Sequence, residues 1–292
     1  MISRSETIDN YLISVIIPHY NCPQKLSRLI SSIYNNDMIQ IIVVDDQSSL
    51  FTEQYAELVE KFKDKVEFYY NDVHCRSAGR CRNIGIKKAK GKWLLFADSD
   101  DYFIEDAYEL LLKYANNYFE YDIVFFPPDC EDKNNNRVLF YQRLIWSYAK
   151  SNIGELRIRY LWDAPWSKLI KKEIVTKNNI KFDETKVAND VMFSCKVGNV
   201  AKKICVVYDK LYVITENGGS LTNKKSAENW MSRIDVLIKK NNYLLCKLSE
   251  SDYKALHING RNMLIMTLTK GYGFKMFISI LQKLYANRIR IL

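Results

Sequence analysis

Two kinds of apolar pattern alternate along the first hundred residues. Short runs rich in β-branched and aromatic residues occur at Ile13 to Ile17, Ile39 to Val44, Val66 to Tyr70 and Lys92 to Ala97. Runs of this length and type suit strands buried on both faces. Between them the apolar positions recur at helical spacing. After Pro23, residues Leu26, Leu29, Ile30 and Ile33 share one helix face. Thr52 to Phe62 reads as a second helix, and Ser77 to Ala89 as a basic third one with Arg80, Arg82, Lys87 and Lys88. Pro18 is expected to stop the first strand, and Gly91 closes the third helix. Strand–helix alternation at this spacing predicts parallel βαβ units, hence a doubly wound α/β sheet.

Beyond residue 101 the pattern loosens. A helix is predicted to about Asn116, then a strand from Ile123 to Phe126 that Pro127-Pro128 ends, then a polar loop from Glu131 to Asn136. From Tyr141 the chain reads as irregular and aromatic, with Trp146, Tyr148, Tyr160, Trp162 and Trp166. Ile204 to Ile214 should form one strand or hairpin. Thr215 to Thr222, containing Gly218-Gly219-Ser220, should form a flexible loop. Residues 226–292 read as helices. The division expected is a domain over 1–222 and a helical region over 223–292.

The polar residues that end the strands change the picture from fold to chemistry. The second strand runs into Asp45 and Asp46, and the fourth into Asp98, Ser99, Asp100 and Asp101. In open α/β sheets, ligands lie just beyond the carboxyl ends of the strands. Carboxylates crowded there repel one another unless a hard cation sits between them. Mg²⁺ and Mn²⁺ take oxygen ligands of this kind together with substrate phosphates. A plainer reading is that Asp100 and Asp101 only begin the next helix, where Asp is common.

Charge is uneven along the 292 residues. The net +9 divides into 14 Lys and Arg against 20 Asp and Glu in residues 1–130, and 29 against 14 in the remainder. An acidic half beside a basic half suggests that the second part faces something anionic. Seven cysteines without paired metal-ligand spacing fit a reducing cytosol better than a disulfide framework. No signal peptide is read in the sequence, and no apolar run approaches the roughly 18 residues of a membrane span. His19 and His74 are expected to be structural or solvent-facing, since no His/Cys cluster has zinc spacing.

Four motifs then appear in order, each at the end of a predicted element. They are Pro18-His19-Tyr20-Asn21, Val44-Asp45-Asp46-Gln47-Ser48, Cys81-Arg82-Asn83-Ile84-Gly85 and Asp98-Ser99-Asp100-Asp101. Together they resemble the N-terminal half of the family 2 glycosyltransferases of the GT-A fold, bacterial surface-polysaccharide type, over about residues 12–105. Ala164-Pro165-Trp166-Ser167-Lys168-Leu169 resembles that family's Trp-Asn-Lys-Leu segment beside the donor sugar. Asn189-Asp190-Val191-Met192-Phe193 resembles its Glu-Asp-x-x-Phe motif. The chain departs from the family pattern at Ser77 and Cys81, where small residues differ, at Ser167 for Asn, at Asn189 for Glu and at Ile214 for Tyr.

The resemblance implies a division of roles. Pro18, Tyr20 and Asp45 or Asp46 would line a uracil and ribose pocket, with Asn21 and Ser99 counted among the same substrate-binding positions. Arg82 would approach the diphosphate or hold the metal loop, against a plain reading as a solvated helical Arg. Asp98 would contact ribose or metal, Asp100 would ligate Mn²⁺ or Mg²⁺, and Trp166, Lys168 and Asn189 would flank the donor. Asp190 would be the catalytic base, against a plain reading as a helix N-cap. The implied protein is an inverting, metal-dependent transferase that uses a UDP-sugar and a saccharide or lipid-linked acceptor. It would work in the cytoplasm, in capsule, O-antigen or lipooligosaccharide assembly.

Other classes fit less well. A non-catalytic nucleotide-sugar-binding subunit would be marked by loss of Asp100 or Asp190, and both are present. A dinucleotide oxidoreductase lacks its Gly-x-Gly-x-x-Gly cradle, and a nucleic-acid-binding role lacks any module. Phe274 to Tyr285, continuing to Leu292, has an apolar face with interspersed Lys and Arg. That face suits an anionic membrane surface, or packing on the core or on a second copy of the chain.

Overall fold

The computed structural model describes residues 11–33, 37–72, 76–132, 135–149, 151–215 and 226–291. The first two strands, β1 (Ile13–His19) and β2 (Ile39–Asp45), are buried at every position, as their β-branched runs require. Between them α1 (Pro23–Ile33) buries Leu26, Leu29, Ile30 and Ile33 on its sheet-facing stripe. The chain continues through α2 (Thr52–Phe62), β3 (Val66–Tyr70), α3 (Ala78–Lys88) and β4 (Trp93–Phe96). β1 pairs in parallel with both β2 and β4, and β3 extends the sheet beyond β2. α3 lies tight on β1, because a Cβ on Gly85 would come 2.3 Å from Ile16 Cγ2.

Pro18 does not stop β1, which runs on to His19. The ladder explains why. Ile16 presents its carbonyl to Ala97 on the β4 side, so Pro18, two residues on, turns its missing N–H the same way. The β1–β4 register has already ended at Ile16 and Phe96, so no hydrogen bond is lost.

After β4 come β5 (Tyr102–Phe103), α4 (Ala107–Asn117), β6 (Ile123–Phe125) and β7 (Asp129–Cys130). The stretch from Tyr141 is not irregular. It falls in α5 (Asn136–Tyr148) and α6 (Asn152–Leu161), which start on the side-chain caps of Asn135 and Ser151. The aromatic density that hid their periodicity is a packed cluster, with Tyr141, Trp162 and Trp166 ring centroids 4.7 to 6.4 Å apart. β8 (Lys168–Lys171) enters antiparallel to both β4 and β6. α7 (Lys172–Lys177) and α8 (Val191–Val200) precede β9 (Ile204–Val206) and β10 (Tyr212–Ile214). These last two strands do not form one strand or hairpin. β9 ends the seven-stranded sheet, ordered β3-β2-β1-β4-β8-β6-β9, whereas β10 lies between β5 and β7 in a separate three-stranded sheet. Strands of two residues leave no periodicity to read, so β5 and β7 carry no sequence signal. Gly218-Gly219-Ser220 and His74 lie outside the described residues.

The C-terminal helices are α9 (Ala227–Lys247), α10 (Glu250–Ala255), α11 (Arg261–Thr269) and α12 (Phe274–Ala286). They have a small core of their own, with Trp230, Ile234, Ile238, Leu264, Ile280, Leu284 and Ile289. A second cluster crosses to the sheet domain, joining Leu244 and Leu256 to Tyr160 and Cys195. α9 is also fixed by charge. Lys240, 4% exposed, reaches Asp163 at 2.6 Å. Both links cross the expected division at residue 222. Asp163 is partly solvated, so breaking this pair should cost less than a fully buried one. We expect Lys240→Ala to lower unfolding free energy by about 1–3 kcal/mol, and Lys240→Met, which keeps the buried stem, by less. Urea unfolding by tryptophan fluorescence checks this; equal losses in both variants would mean that the ion pair alone fixes α9, and no loss in Lys240→Met that packing alone does.

Candidate active site

The acid turn after β4 is sorted by direction. Asp98 and Asp100 are half-buried, whereas Asp101 is 3% exposed and turned inward. The Asp101 carboxylate accepts from the Tyr212 hydroxyl at 2.7 Å and from the Thr215 backbone N–H at 2.9 Å. Tyr212 in turn accepts from the Asp98 backbone N–H at 2.8 Å. From the other side, Arg28 of α1 donates to the Asp100 carbonyl at 3.0 Å and covers the Tyr102 ring at 4.4 Å. Burial, then the charges of Asp98 and Asp100, push the Asp101 carboxyl up to about 8. That crowding is what a divalent cation relieves.

Among the described residues no group of three His, Cys, Asp or Glu converges as a ready metal cage. Two carboxylates on one turn fit a cation that completes its shell with diphosphate oxygens and water, the usual habit of Mg²⁺. Asp98 and Asp100 are the residues that would hold it. Ser99 is buried, with its hydroxyl 3.2 Å from Cys22 Sγ.

At the ends of β1 and β2 the two adjacent aspartates differ. Asp45 is enclosed, with His19 Nδ1 at 2.8 Å, the Ser48 backbone N–H at 2.9 Å and the Ser48 hydroxyl at 2.6 Å. Burial alone would raise its pKa. The bonds from His19 and Ser48 outweigh that and leave it below the usual carboxylate range. His19 also accepts from the Cys22 N–H and stacks on Tyr55 at 4.8 Å, so it is a structural residue. Asp46 accepts from Asn71 Nδ2 at 2.7 Å and faces the Ser77 N–H at 3.3 Å. Ser77, the departure from Gly, caps α3 by accepting from the Arg80 N–H. Asn21, in the left-handed region at φ 53°, pins the following loop by accepting from the Ser49 and Leu50 N–H groups. Tyr20 is 45% exposed, with Arg76 bonded to its hydroxyl at 3.2 Å. The exposed ring beside Asp46 is the surface these motifs leave open to a planar base.

The third motif connects the two sides of the cleft. Arg82, 5% exposed, donates to Asp98 Oδ1 at 2.6 Å and to Asn189 Oδ1 at 2.9 Å. Asn83 brackets Phe182, donating to its carbonyl and accepting its N–H. Gly79 permits this closeness, since a Cβ there would sit 2.1 Å from the Asp183 carbonyl. The segment so held delivers Asp190 to the start of α8.

Asp190 occupies the N-cap position of α8 but makes no cap bond with its side chain. The carboxylate is partly open to solvent yet hemmed in by protein. Burial raises its pKa, against the pull of Arg82 and Arg137 and with added repulsion from Asp163. A free carboxylate with raised basicity has the chemistry of a general base. Trp166 and Lys168 are enclosed, at 1% and 2% exposure, and back the cleft wall rather than forming its face. Lys168 donates to the Ser194 hydroxyl at 3.0 Å, and burial pushes its ammonium down to about 7. Ser167 holds φ at 55°, a conformation that suits the Asn it replaces.

A model of the glycosyl transferase family 2 matches residues 14–177, more than half of the chain. The protein belongs to glycosyl transferase family 2. Two poly(ribitol-phosphate) β-N-acetylglucosaminyltransferases of Staphylococcus aureus are among its relatives. The poly(ribitol-phosphate) β-N-acetylglucosaminyltransferase TarP is 30% identical over 239 residues, 78% of this chain and 71% of its own. TarS, which carries the same activity name, is 26% identical over 206 residues, 68% of this chain, which therefore spans about a third (34%) of TarS. In structure, the TarS 1–349 complex with UDP-GlcNAc superposes with a TM-score of 0.75 at 21% identity, covering 94% of this chain and 81% of that one. A Pyrobaculum calidifontis mannosyltransferase in complex with GDP-Man and Mn²⁺ has a TM-score of 0.61 at 16% identity, covering 94% and 79%. The mostly parallel sheet with C-terminal helices is thus the GT-A arrangement that the motifs implied.

In this family 2 protein, sequence reasoning missed Asn71, Tyr212 and Arg137, and it named Asp101 in the acid turn without its inward, structural role. Asn71 follows a strand end, as the motif acids do, and that position was the available signal. Tyr212 and Arg137 come together with the site only through the tertiary fold.

The raised basicity of Asp190 has a stability consequence. A carboxyl whose folded pKa is raised contributes stability below its unfolded pKa and loses it as pH rises through the folded value. We expect Asp190→Asn, without ligand, to unfold at higher urea than the parent near pH 8, the gap closing towards about pH 4. A less stable Asn variant at pH 8 would show that the carboxylate is stabilising, as a structural ion pair would be.

Proposed function

We propose that this family 2 protein is an inverting glycosyltransferase that moves a sugar from a UDP-sugar to a hydroxyl of a saccharide or lipid-linked saccharide. One observation carries the reading. Arg82 spans from Asp98 of the acid turn to Asn189, so the free carboxylate of Asp190 and the candidate metal ligands share a single cleft. The relatives named for poly(ribitol-phosphate) transfer and the TarS complex with UDP-GlcNAc support the donor class and a surface polymer as the setting.

Asp190 accepts the proton of the acceptor hydroxyl as its oxygen attacks the anomeric carbon opposite the leaving diphosphate. Inversion follows from that single displacement, and no nucleophilic side chain is required. Mn²⁺ or Mg²⁺ bound by Asp100 and Asp98 would supply neutralisation of charge growing on the leaving group. Arg82 holds Asp98 in place. Tyr20 and Asp46 take the uracil and ribose end, with Asn71 fixing Asp46, while Pro18, Asn21 and Asp45 shape that pocket from beneath. Asn189, Ser99, Trp166 and Lys168 support the donor side.

A peripheral contact with an anionic membrane, on its cytoplasmic face, belongs to the same reading. After Asp252 the chain carries seven Lys and Arg and no Asp or Glu. Ile265, Met266, Leu268, Phe274 and Tyr285 of this region are exposed, Phe274 by 69% and Tyr285 by 81%. Among the described residues no helix is long and apolar enough to cross a membrane. α12 buries Ile280 and Leu284, so its deletion would cut the core, and point variants are the cleaner probe. We expect Phe274→Ser with Lys275→Ser to lose most binding to phosphatidylglycerol vesicles while leaving UDP binding intact. Equal vesicle binding by parent and variant would assign this face to another partner.

The enzymatic test is a screen of UDP-sugars for UDP release. Turnover should vanish in EDTA, return with Mn²⁺ or Mg²⁺, and be absent in Asp100→Ala. Asp190→Asn should cut turnover by about 10²–10⁴-fold and change the UDP Kd by less than several-fold. Undiminished turnover in that variant would move the base elsewhere, and lost UDP binding would place Asp190 in the donor pocket.

A further inference from the structure

A cavity of about 470 Å³, the size of a small-molecule site, opens between α3 and α7. Its place follows from the sheet. Lys172 at the start of α7 donates its backbone N–H to the Lys92 carbonyl at 2.9 Å, so the cavity lies where β4 begins. The acid turn lies where β4 ends, about 20 Å of extended strand away. The cavity is therefore separate from the cleft described above.

Its wall is apolar and its mouth basic. Ile86, Val175 and Ile180 line it, and so do Lys87, Lys172 and Lys181; among the described residues no Asp or Glu does. The acids nearest along the chain are engaged elsewhere, Glu173 with Lys177, Asp183 with Lys239 and Glu184 with Arg80. Lys172 donates to the Ala89 and Lys90 carbonyls at 3.2 and 3.3 Å, which ties α7 to the end of α3. Lys87 and Lys181 are exposed, and among the described residues neither is paired with a carboxylate. An apolar recess rimmed by charge of one sign focuses its field on an anion. Ammonium groups hold phosphate as point charges, and its several oxygens let two of them share it.

The segment that closes the cavity has a second task. Asn83 lines the cavity and brackets Phe182, accepting its N–H at 2.9 Å and donating to its carbonyl at 3.0 Å. Phe182 stacks on Phe193 of α8 at 3.8 Å, and the Asp183 N–H donates to the Asn189 carbonyl at 3.1 Å. The cavity and the start of α8 thus share one run of chain.

We propose that this cavity binds a phosphate monoester, with Lys87 and Lys181 on the phosphate and the organic part against Ile86, Val175 and Ile180. Occupancy braces the segment that leads to Asp190. The proposal does not rest on the reading of Asp190 as the base. Two sources carry this chemistry, a small phosphorylated metabolite and the phosphate of a prenyl lipid.

The test uses the full chain with saturating UDP and Mg²⁺, which fills the donor's phosphate positions. Calorimetry at fixed ionic strength then titrates inorganic phosphate, glycerol 3-phosphate and geranyl phosphate. We expect at least one monoester to bind more tightly than inorganic phosphate. Lys87→Gln combined with Lys181→Gln should weaken it by about tenfold or more, with the UDP Kd and the thermal melt unchanged. Amide hydrogen exchange should slow over residues 180–183 when the monoester binds. Tighter glycerol 3-phosphate assigns a metabolite, and tighter geranyl phosphate assigns a lipid. Absence of binding by all three probes, or equal binding by parent and double variant, overturns the site. So does binding that leaves exchange over 180–183 unchanged, which would place the phosphate elsewhere.

Discussion

The cleft depends on one guanidinium. Arg82 is buried on α3 and donates in two directions, to the acid turn at Asp98 and to Asn189 beside Asp190. A buried cation is costly unless its donors are used, so the two segments are drawn to it as much as it is drawn to them. Among the described residues one of its nitrogens, Nε, finds no partner, and Phe182 covers the group's face at 5.3 Å. The family's Glu at position 189 would meet Arg82 as an ion pair. Asn189 meets it as a neutral acceptor, which leaves more of the positive charge to Asp98 and to whatever anion enters the cleft.

A second constraint keeps the acids from acting as one cluster. Asp101 is withdrawn into the protein by Tyr212 of β10 and by Thr215, which follows that strand. Position along the chain therefore does not equal role. Three carboxylates within four residues divide into two that face the cleft and one that fastens the turn to the small sheet. The same division separates Asp45, held by His19 and Ser48, from Asp46 next to it.

The parallel half of the sheet was legible because each strand is a dense apolar run and each helix a clear stripe. Both are local signals. The acid turn was legible for the same reason. What the sequence concealed is long-range. α5 and α6 were masked by aromatic residues, whose spacing reflects packing among Tyr141, Trp162 and Trp166 rather than one amphipathic face. β9 and β10 looked like one element because nothing local says that adjacent strands join different sheets. The N-cap reading of Asp190 was right about place and wrong about bonding, since a cap needs a side chain turned back to the helix. Trp166 and Lys168 stand one layer behind the surface, a depth that spacing does not encode.

Pro18 has an effect on what this scaffold permits. The imide nitrogen faces the space just beyond the last rung of β4, so a chain extending that strand would find an acceptor there and no donor. Strand growth is discouraged at the one place where it would fill the notch between β1 and the acid turn. The opening is thus a property of the backbone, independent of the side chains around it.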